Sequence, residues 1–238
     1  MSLTRVELEP AYILQVRAYR ETSELLEIFS PQYGRVGIVA NGSRRPKSKF
    51  RGYLNPFQPL RLSWSGRGDL MRLNALESSR ERFDFKETKV ISAFYANELL
   101  LKLLHRSDPH PSLFVHYASF LEGLGNGDEV EFLLRRFEME LLTEIGYSLV
   151  LNIDCVENKL LDPGQLYEYQ IERGLIPVNS DEKNSLTYLG EDFSAIARLD
   201  FTKKSTRRAA KRLLRRVLDF HLGDRVLQTR RIASAMRY

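Results

Sequence analysis

Cysteine is almost missing from this chain: Cys155 is the only one among 238 residues. An internal disulfide is thereby impossible, and a zinc site built on cysteines is nearly excluded. Long apolar runs are also lacking, and none approaches the roughly 18 residues that a membrane helix needs. The opening Met1-Ser2-Leu3-Thr4-Arg5 has no apolar stretch of the secretory kind, so a cytoplasmic protein with no membrane partner is expected. Catalytic signatures are scarce. There is no glycine-rich phosphate loop ending in Gly-Lys-Ser/Thr, which argues against ATP-driven mechanics. The four histidines, His105, His110, His116 and His221, form no pair at zinc-protease spacing. Ser43 and Ser65 stand in loops without an identifiable base, and Gly123-Leu124-Gly125-Asn126-Gly127 lies between two helical stretches rather than after a strand. With no catalytic constellation and no metal or cofactor motif, the expectation is a non-enzymatic protein that needs no cofactor.

What the chain does have is apolar mass and unevenly placed charge. Hydrophobic residues make up 43%, with 13 Phe and 11 Tyr, enough for a core in one large domain or a few small ones. The net charge is +5, but residues 1–82 carry +6, residues 83–202 carry −11 and residues 203–238 carry +10. A solvated surface accounts for one basic block. Two of them, one helical and dense in arginine, point to a polyanionic partner.

The first 80 residues read as short strands: Ala11–Arg17, Leu25–Phe29, Arg35–Ala40, Phe57–Trp64 and Asp69–Leu76. Val36, Ile38 and Ala40 alternate, as do Leu60, Leu62 and Trp64, which gives each strand one buried face. Turn residues separate them at Ser30–Gly34 and Gly66–Gly68, and a basic loop runs over Asn41–Lys49. About five short strands suggest a small closed barrel, either an OB-fold or an SH3-like barrel. From Thr88 the apolar period turns helical, with Val90, Ile91, Phe94, Tyr95, Leu99 and Leu103 as a stripe; Ser112–Leu124 makes a second helix. A third starts at Asp128, with Glu131 in capping-box spacing, and Gly146 suits its C-terminal cap. Residues 151–183 read as irregular, with Pro163-Gly164 and Pro177 as breakers, and helix resumes near Asn184.

The last clear helix, capped by Ser205 or Thr206 and running to about Leu222, sorts its residues cleanly. At 100° per residue, Arg207, Arg208, Lys211, Arg212, Arg215 and Arg216 fall on one half of the wheel, with Ala209, Ala210, Leu213, Leu214, Val217 and Leu218 on the other. The apolar half should dock, leaving a ridge of six cations. A solubilising face is the plain alternative, but arginine's planar fork suits phosphate, and no acid relieves the repulsion on that face.

The order of several elements resembles the RecO family of bacterial recombination mediators. The similar stretches are Arg17–Ser23, Gly34-Arg35-Val36, Ala40-Asn41-Gly42-Ser43-Arg44-Arg45, Leu54-Asn55-Pro56-Phe57 and Gly66–Leu70. Tyr95–Leu100, Leu134–Glu138, Gly146-Tyr147, Arg208–Arg212 and His221-Leu222-Gly223 follow further on. The resemblance implies an α+β protein. It would hold an OB-fold at 1–80, a helical domain in two parts at 81–150 and 184–238, and a small zinc-finger-like insertion at 151–183. Some family members hold zinc there with four cysteines, and Cys155 alone cannot. Also implied are binding of single- and double-stranded DNA, annealing of complementary strands, and a cytoplasmic, nucleoid-associated location in DNA repair. The implied partners are RecR and the acidic tail of the single-strand DNA-binding protein, with RecA, and RecF if it takes part, reached indirectly. On that reading Arg35, Arg44, Arg45, Lys47, Lys49 and Arg51 are phosphate contacts at one end and the Arg207–Arg216 ridge at the other. Tyr33, Tyr53, Phe57 and Trp64 are either base-stacking or, for the last two, barrel core. An acidic tail ending in an apolar residue wants a greasy pocket rimmed by cations, which singles out Arg135 and Arg136 beside Phe132 and Phe137. The plainer alternative pairs both arginines with Glu131, Glu138 or Glu140. An RNA-binding or ribosome-associated module remains the rival reading of the same charges.

Overall fold

A computed structural model of the chain describes residues 4–78, 83, 85–86, 88–182 and 184–236. Met1, Ser2 and Leu3, read for a leader, lie outside that range, as do residues at the expected borders near 80 and 183. The chain forms two compact units, Met1–Val130 with Arg225–Tyr238, and Glu131–Asp224.

The first unit opens with five strands, β1 (Thr4–Tyr19), β2 (Ser23–Ser30), β3 (Gly34–Ala40), β4 (Leu60–Gly66) and β5 (Leu70–Ser78). They close into a barrel in the order β1-β2-β3-β5-β4, with β3 and β5 parallel. That order is an OB-fold, and it settles the choice against an SH3-like barrel. The 16-residue β1 makes closure possible, since its first half pairs with β4 and its second half with β2. Register shifts at Val6/Glu9 and Ile13/Gln15 bend it around the barrel. The alternating residues do meet inside: Val36, Ile38, Ala40, Leu60, Leu62 and Trp64 share one core with Ile13, Leu26, Ile28 and Leu73.

Helices α1 (Thr88–Leu103) and α2 (Pro111–Asn126) follow, and α6 (Gln228–Ala235) returns to this unit. The start of α1 agrees with the periodicity, but its buried face is broader than the stripe. Ala93, Ala96, Asn97 and Leu100 are buried with Tyr95 and Leu99, whereas Phe94 is exposed. The reason is that β1, α2 and α6 all pack on it. Asn97 is the polar pin of this packing, donating to the Leu14 carbonyl at 2.8 Å and accepting from the Tyr117 hydroxyl at 2.5 Å. The α1–α2 connection crosses the start of β3, where Ser107 N–H donates to Arg35 O at 2.9 Å. A Cβ on Gly34, at φ +60°, would lie 1.9 Å from the Asp108 carbonyl oxygen, so only glycine fits there.

The second unit holds α3 (Val130–Glu144), a small sheet, α4 (Gly190–Ala197) and α5 (Lys204–Leu222). Gly146, at φ +87°, ends α3 as anticipated: its N–H reaches Thr143 O at 3.0 Å while Tyr147 N–H reaches Leu142 O at 2.7 Å, the paired bonds of a Schellman cap. Residues 151–183 are not irregular. Strands β6 (Ile153–Asp154), β7 (Lys159–Leu160), β8 (Leu166–Gln170) and β9 (Gly174–Val178) join β10 (Thr187–Leu189) in the order β10-β8-β9-β6-β7. Two- to five-residue strands leave too few periods for alternation to be read. Helix does not resume at Asn184, whose side chain instead accepts from Leu186 N–H at 2.7 Å in a turn that feeds β10.

Candidate nucleic-acid interface

In the barrel unit the loop between β3 and β4 is anchored by Phe50 and Leu54, both buried in the barrel core. Between and beside these anchors Arg44, Arg45, Lys47, Lys49 and Arg51 are all exposed. Their polar partners are carbonyls: Arg44 donates to Glu21 O at 3.3 Å, Lys49 to Asn74 O at 2.9 Å and Arg51 to Pro46 O at 3.3 Å. A carbonyl orients a cation without neutralising it, and none of the five forms an ion pair among the described residues. The loop therefore presents full charge.

Arg35 does not belong with them. Its side chain is mostly buried, donating to the carbonyls of Leu101 and, at 2.8 Å, Leu104 at the end of α1, and to Glu27 at 3.4 Å. Burial lowers its pKa, an effect that Glu27 opposes and Arg106 reinforces. The charge pattern puts Arg35 among the phosphate contacts; the fold instead uses its fork to complete the C-terminal turn of α1. Arg106 pairs with the same Glu27 carboxylate. Exposed cations that pattern reading passed over are Arg61, Arg67 and Arg72 around β4 and β5. The signal was present, since Arg61 alternates with Leu60 and Leu62, and Arg72 precedes Leu73. Among the aromatics Trp64 is core, and Tyr33 stands edge-on to it at 5.3 Å. Phe57 is buried outside the barrel core, packed on Phe94 at 4.8 Å and Phe85 at 5.6 Å, and Tyr53 is exposed.

In the second unit α5 divides as the wheel requires. Ala209, Ala210, Leu213, Leu214, Val217 and Leu218 are all buried. The six cations split into two rows. Arg208, Lys211 and Arg215 are exposed, whereas Arg207, Arg212 and Arg216 are half-buried and engaged. Arg207 donates to Phe201 O at 3.1 Å, Arg212 to Ser185 O at 2.9 Å, and Arg216 to Glu168 at 3.0 Å. Two acids therefore touch the ridge that looked free of them, because Asp219 also lies 3.7 Å from Arg215 one turn on. The helix start differs as well. Its N-cap is Lys203, with no side-chain cap bond, while the hydroxyls of Ser205 and Thr206 donate to Asp192 Oδ1 on α4 at 2.9 and 2.7 Å.

The residues considered for an acidic tail also part company. On α3, Arg135 is 7% and Glu138 1% exposed, and their charged ends are 2.7 Å apart. Arg136 is exposed, Phe137 is buried, and Phe132 is half-buried against Phe201 at 5.8 Å. Arg135 thus follows the plainer ion-pair alternative, and Arg136 remains the accessible cation. Cys155 is an exposed free thiol on the small sheet. Among the described residues no group of three or more His, Cys, Asp or Glu is placed to hold a metal ion. No helix among them is long and apolar enough to cross a membrane.

An OB barrel with a cationic loop free of ion pairs among the described residues, joined to an α+β unit that exposes a row of basic side chains, defines a basic OB-fold protein. Residues 1–82 match the family described as Recombination protein O N terminal, and residues 87–231 match Recombination protein O C terminal. The chain is 42% identical to a DNA repair protein RecO of Nitrosococcus oceani, over 98% of this chain and 95% of the relative. It is also 42% identical to a DNA repair protein RecO of Methylococcus capsulatus, over 96% and 93%, and 41% identical to one of Coxiella burnetii, over 96% and 98%. The chain belongs to the RecO family, whose setting is DNA repair and recombination.

Proposed function

We propose that the protein is a DNA-binding recombination mediator without catalytic chemistry of its own. It anneals complementary single strands and, with RecR, helps load RecA on strands coated by single-strand binding protein. The observation that carries this reading is the outer row of α5: Arg208, Lys211 and Arg215 stand exposed on a helix whose apolar half is fully docked. Two strands repel through their phosphates. A protein that neutralises both lowers the barrier to pairing without ATP, because condensed counterions are released as cations replace them.

The DNA contacts are assigned to the OB-fold (residues 1–80), through Arg44, Arg45, Lys47, Lys49 and Arg51, and to the second helical part (184–238), through α5. Single and double strands share the phosphates these cations meet. The segment 151–183 is assigned as a zinc-finger-like insertion that has lost its metal, since its sheet is held by backbone pairing and by Asp154, which accepts from Val156 N–H at 2.8 Å. The acidic tail of single-strand binding protein is placed on α3 at Arg136, with Phe132 beside it. Such a protein works at the nucleoid. The deciding experiment mixes complementary strands coated with single-strand binding protein, with and without the purified chain, and times duplex formation. Faster pairing without nucleotide is expected; an unchanged rate removes the annealing role.

A further inference from the structure

Beyond the cations of α5, the end of that helix carries a cluster of rings. Tyr147, one residue past the Schellman glycine of α3, lies flat against His221: the ring centroids are 3.7 Å apart and the planes 28°. Phe220 stands edge-on to the same imidazole at 5.2 Å. Tyr147 is 50% and Phe220 53% exposed, so large aromatic faces are left in water. Burial lowers the pKa of His221, with Glu172 opposing it more weakly, so near neutral pH the stack is uncharged. Phe220 continues the docked side of α5 into its last turn, where it is exposed. It lies about 40° around the wheel from Arg216, and about 140° around and about 8 Å along the axis from Arg215. The helix C-terminus there carries a partial negative charge, which disfavours a phosphate but not a neutral flat group.

A polyanion that offers flat neutral groups beside its charges is a single-stranded nucleic acid; in a duplex the base faces are already stacked. We infer that Tyr147, His221 and Phe220 form a shelf on which an unpaired nucleobase stacks, reached by a strand that leaves the phosphate track of Arg208, Lys211 and Arg215 and bends around the C-terminal end of α5. This rests on the proposed DNA role of α5 and adds to it a preference for unpaired strands. Cations alone attract both forms, whereas stacking on open rings favours exposed bases.

The test uses the full chain and oligothymidylate. A Tyr147→Ala, Phe220→Ala double variant should lose about tenfold in affinity for the single strand. Its salt dependence should stay that of the parent, because every phosphate-facing cation is kept, and its affinity for blunt duplex should be unchanged. A second variant keeps a ring in place. Trp64 is the only native tryptophan and is buried in the barrel, so the indole of Phe220→Trp reports on the shelf, quenched by oligothymidylate and not by duplex. Parental single-strand affinity in the double variant, or an indole blind to oligothymidylate, overturns the shelf. If that happens while Arg208→Ala, Lys211→Ala, Arg215→Ala still weakens binding, only the shelf is refuted. If the cation variant is silent too, the DNA role of α5 fails with it. Sedimentation of a parental dimer that the double variant splits would also overturn it, because a second copy would then be what covers the rings.

Discussion

The hydroxyl of Thr206 donates to Oδ1 of Asp192 at 2.7 Å, both residues being buried, and this bond ties the first turn of α5 to α4. Ser205 shares the same acceptor at 2.9 Å. One carboxylate oxygen thus organises the entry to the helix that displays the exposed cations.

Asp192→Ala removes an acceptor from two hydroxyls at once, one of them fully buried. A loss of about 2 kcal/mol is expected in denaturant unfolding, the cost of leaving buried donors unpaired. Asp192→Asn keeps an acceptor oxygen and should lose clearly less. Equal losses for the two variants would mean that charge, not hydrogen bonding, holds the turn.

Alanine at Arg208, Lys211 and Arg215 should weaken DNA binding evenly across sequences. On single strands it should also flatten the log–log salt dependence by about 0.7 for each phosphate left without its cation. The fold should hold, since alanine is a good helix former and the docked face is untouched. Arg216→Ala is different in kind, because Arg216 pairs with Glu168 within the unit, so it should also lower the melting temperature. A folded triple variant with parental affinity and slope would reduce the row to solvated surface.

Charge reversal separates the two arginines of α3. Arg135→Glu leaves Glu138 buried against a like charge and should cost about 3–5 kcal/mol of stability. Arg136→Glu should fold normally and lose binding to the acidic tail peptide in calorimetry, with annealing of naked strands nearly intact. Unchanged peptide affinity in Arg136→Glu takes this residue out of the tail site.

Glu98 caps α6 from α1, its carboxylate accepting from Gln228 N–H at 2.8 Å and Thr229 N–H at 3.0 Å. Burial pushes its pKa up, but the bonds from Thr229 and Gln228, with Lys102 nearby, outweigh that and hold it below the ordinary value. A depressed folded-state pKa means stability that is present above the unfolded value, about 4.3, and lost as pH falls through the folded one. The protection of α6 amides, exchange relative to the intrinsic rate at each pH, should therefore fall on acidification. In Glu98→Gln it should be lower at neutral pH, by about 1 kcal/mol of opening free energy, and nearly flat over that acid range. Acid-insensitive protection in the parent would mean that the Glu98 carboxylate does not hold α6.

The purified protein should contain no stoichiometric zinc and should melt at the same temperature with or without a chelator. Structural zinc needs about four protein ligands, and Cys155 has no second thiol beside it. One tightly bound zinc per chain would point to a ligand set that includes histidines or carboxylates.

Much of this protein was written in local periodicity. Alternation at Val36–Ala40 and Leu60–Trp64, the glycine after α3, and the two halves of α5 were all legible, because each depends only on which face of one element must leave water. What the sequence could not decide is which polar side chains find partners far along the chain. Arg35 reads like Arg44, yet it is drawn to the carbonyls of Leu101 and Leu104, more than sixty residues away. Arg212 and Arg216 read like Arg208 and Arg215, yet Ser185 and Glu168 claim them. Arg135 and Arg136 are adjacent, and a single 100° step buries one beside Glu138 and leaves the other in water. A basic surface can be counted from composition. Its working members are decided by tertiary structure, because a buried cation must be paired and only the folded chain brings the partner.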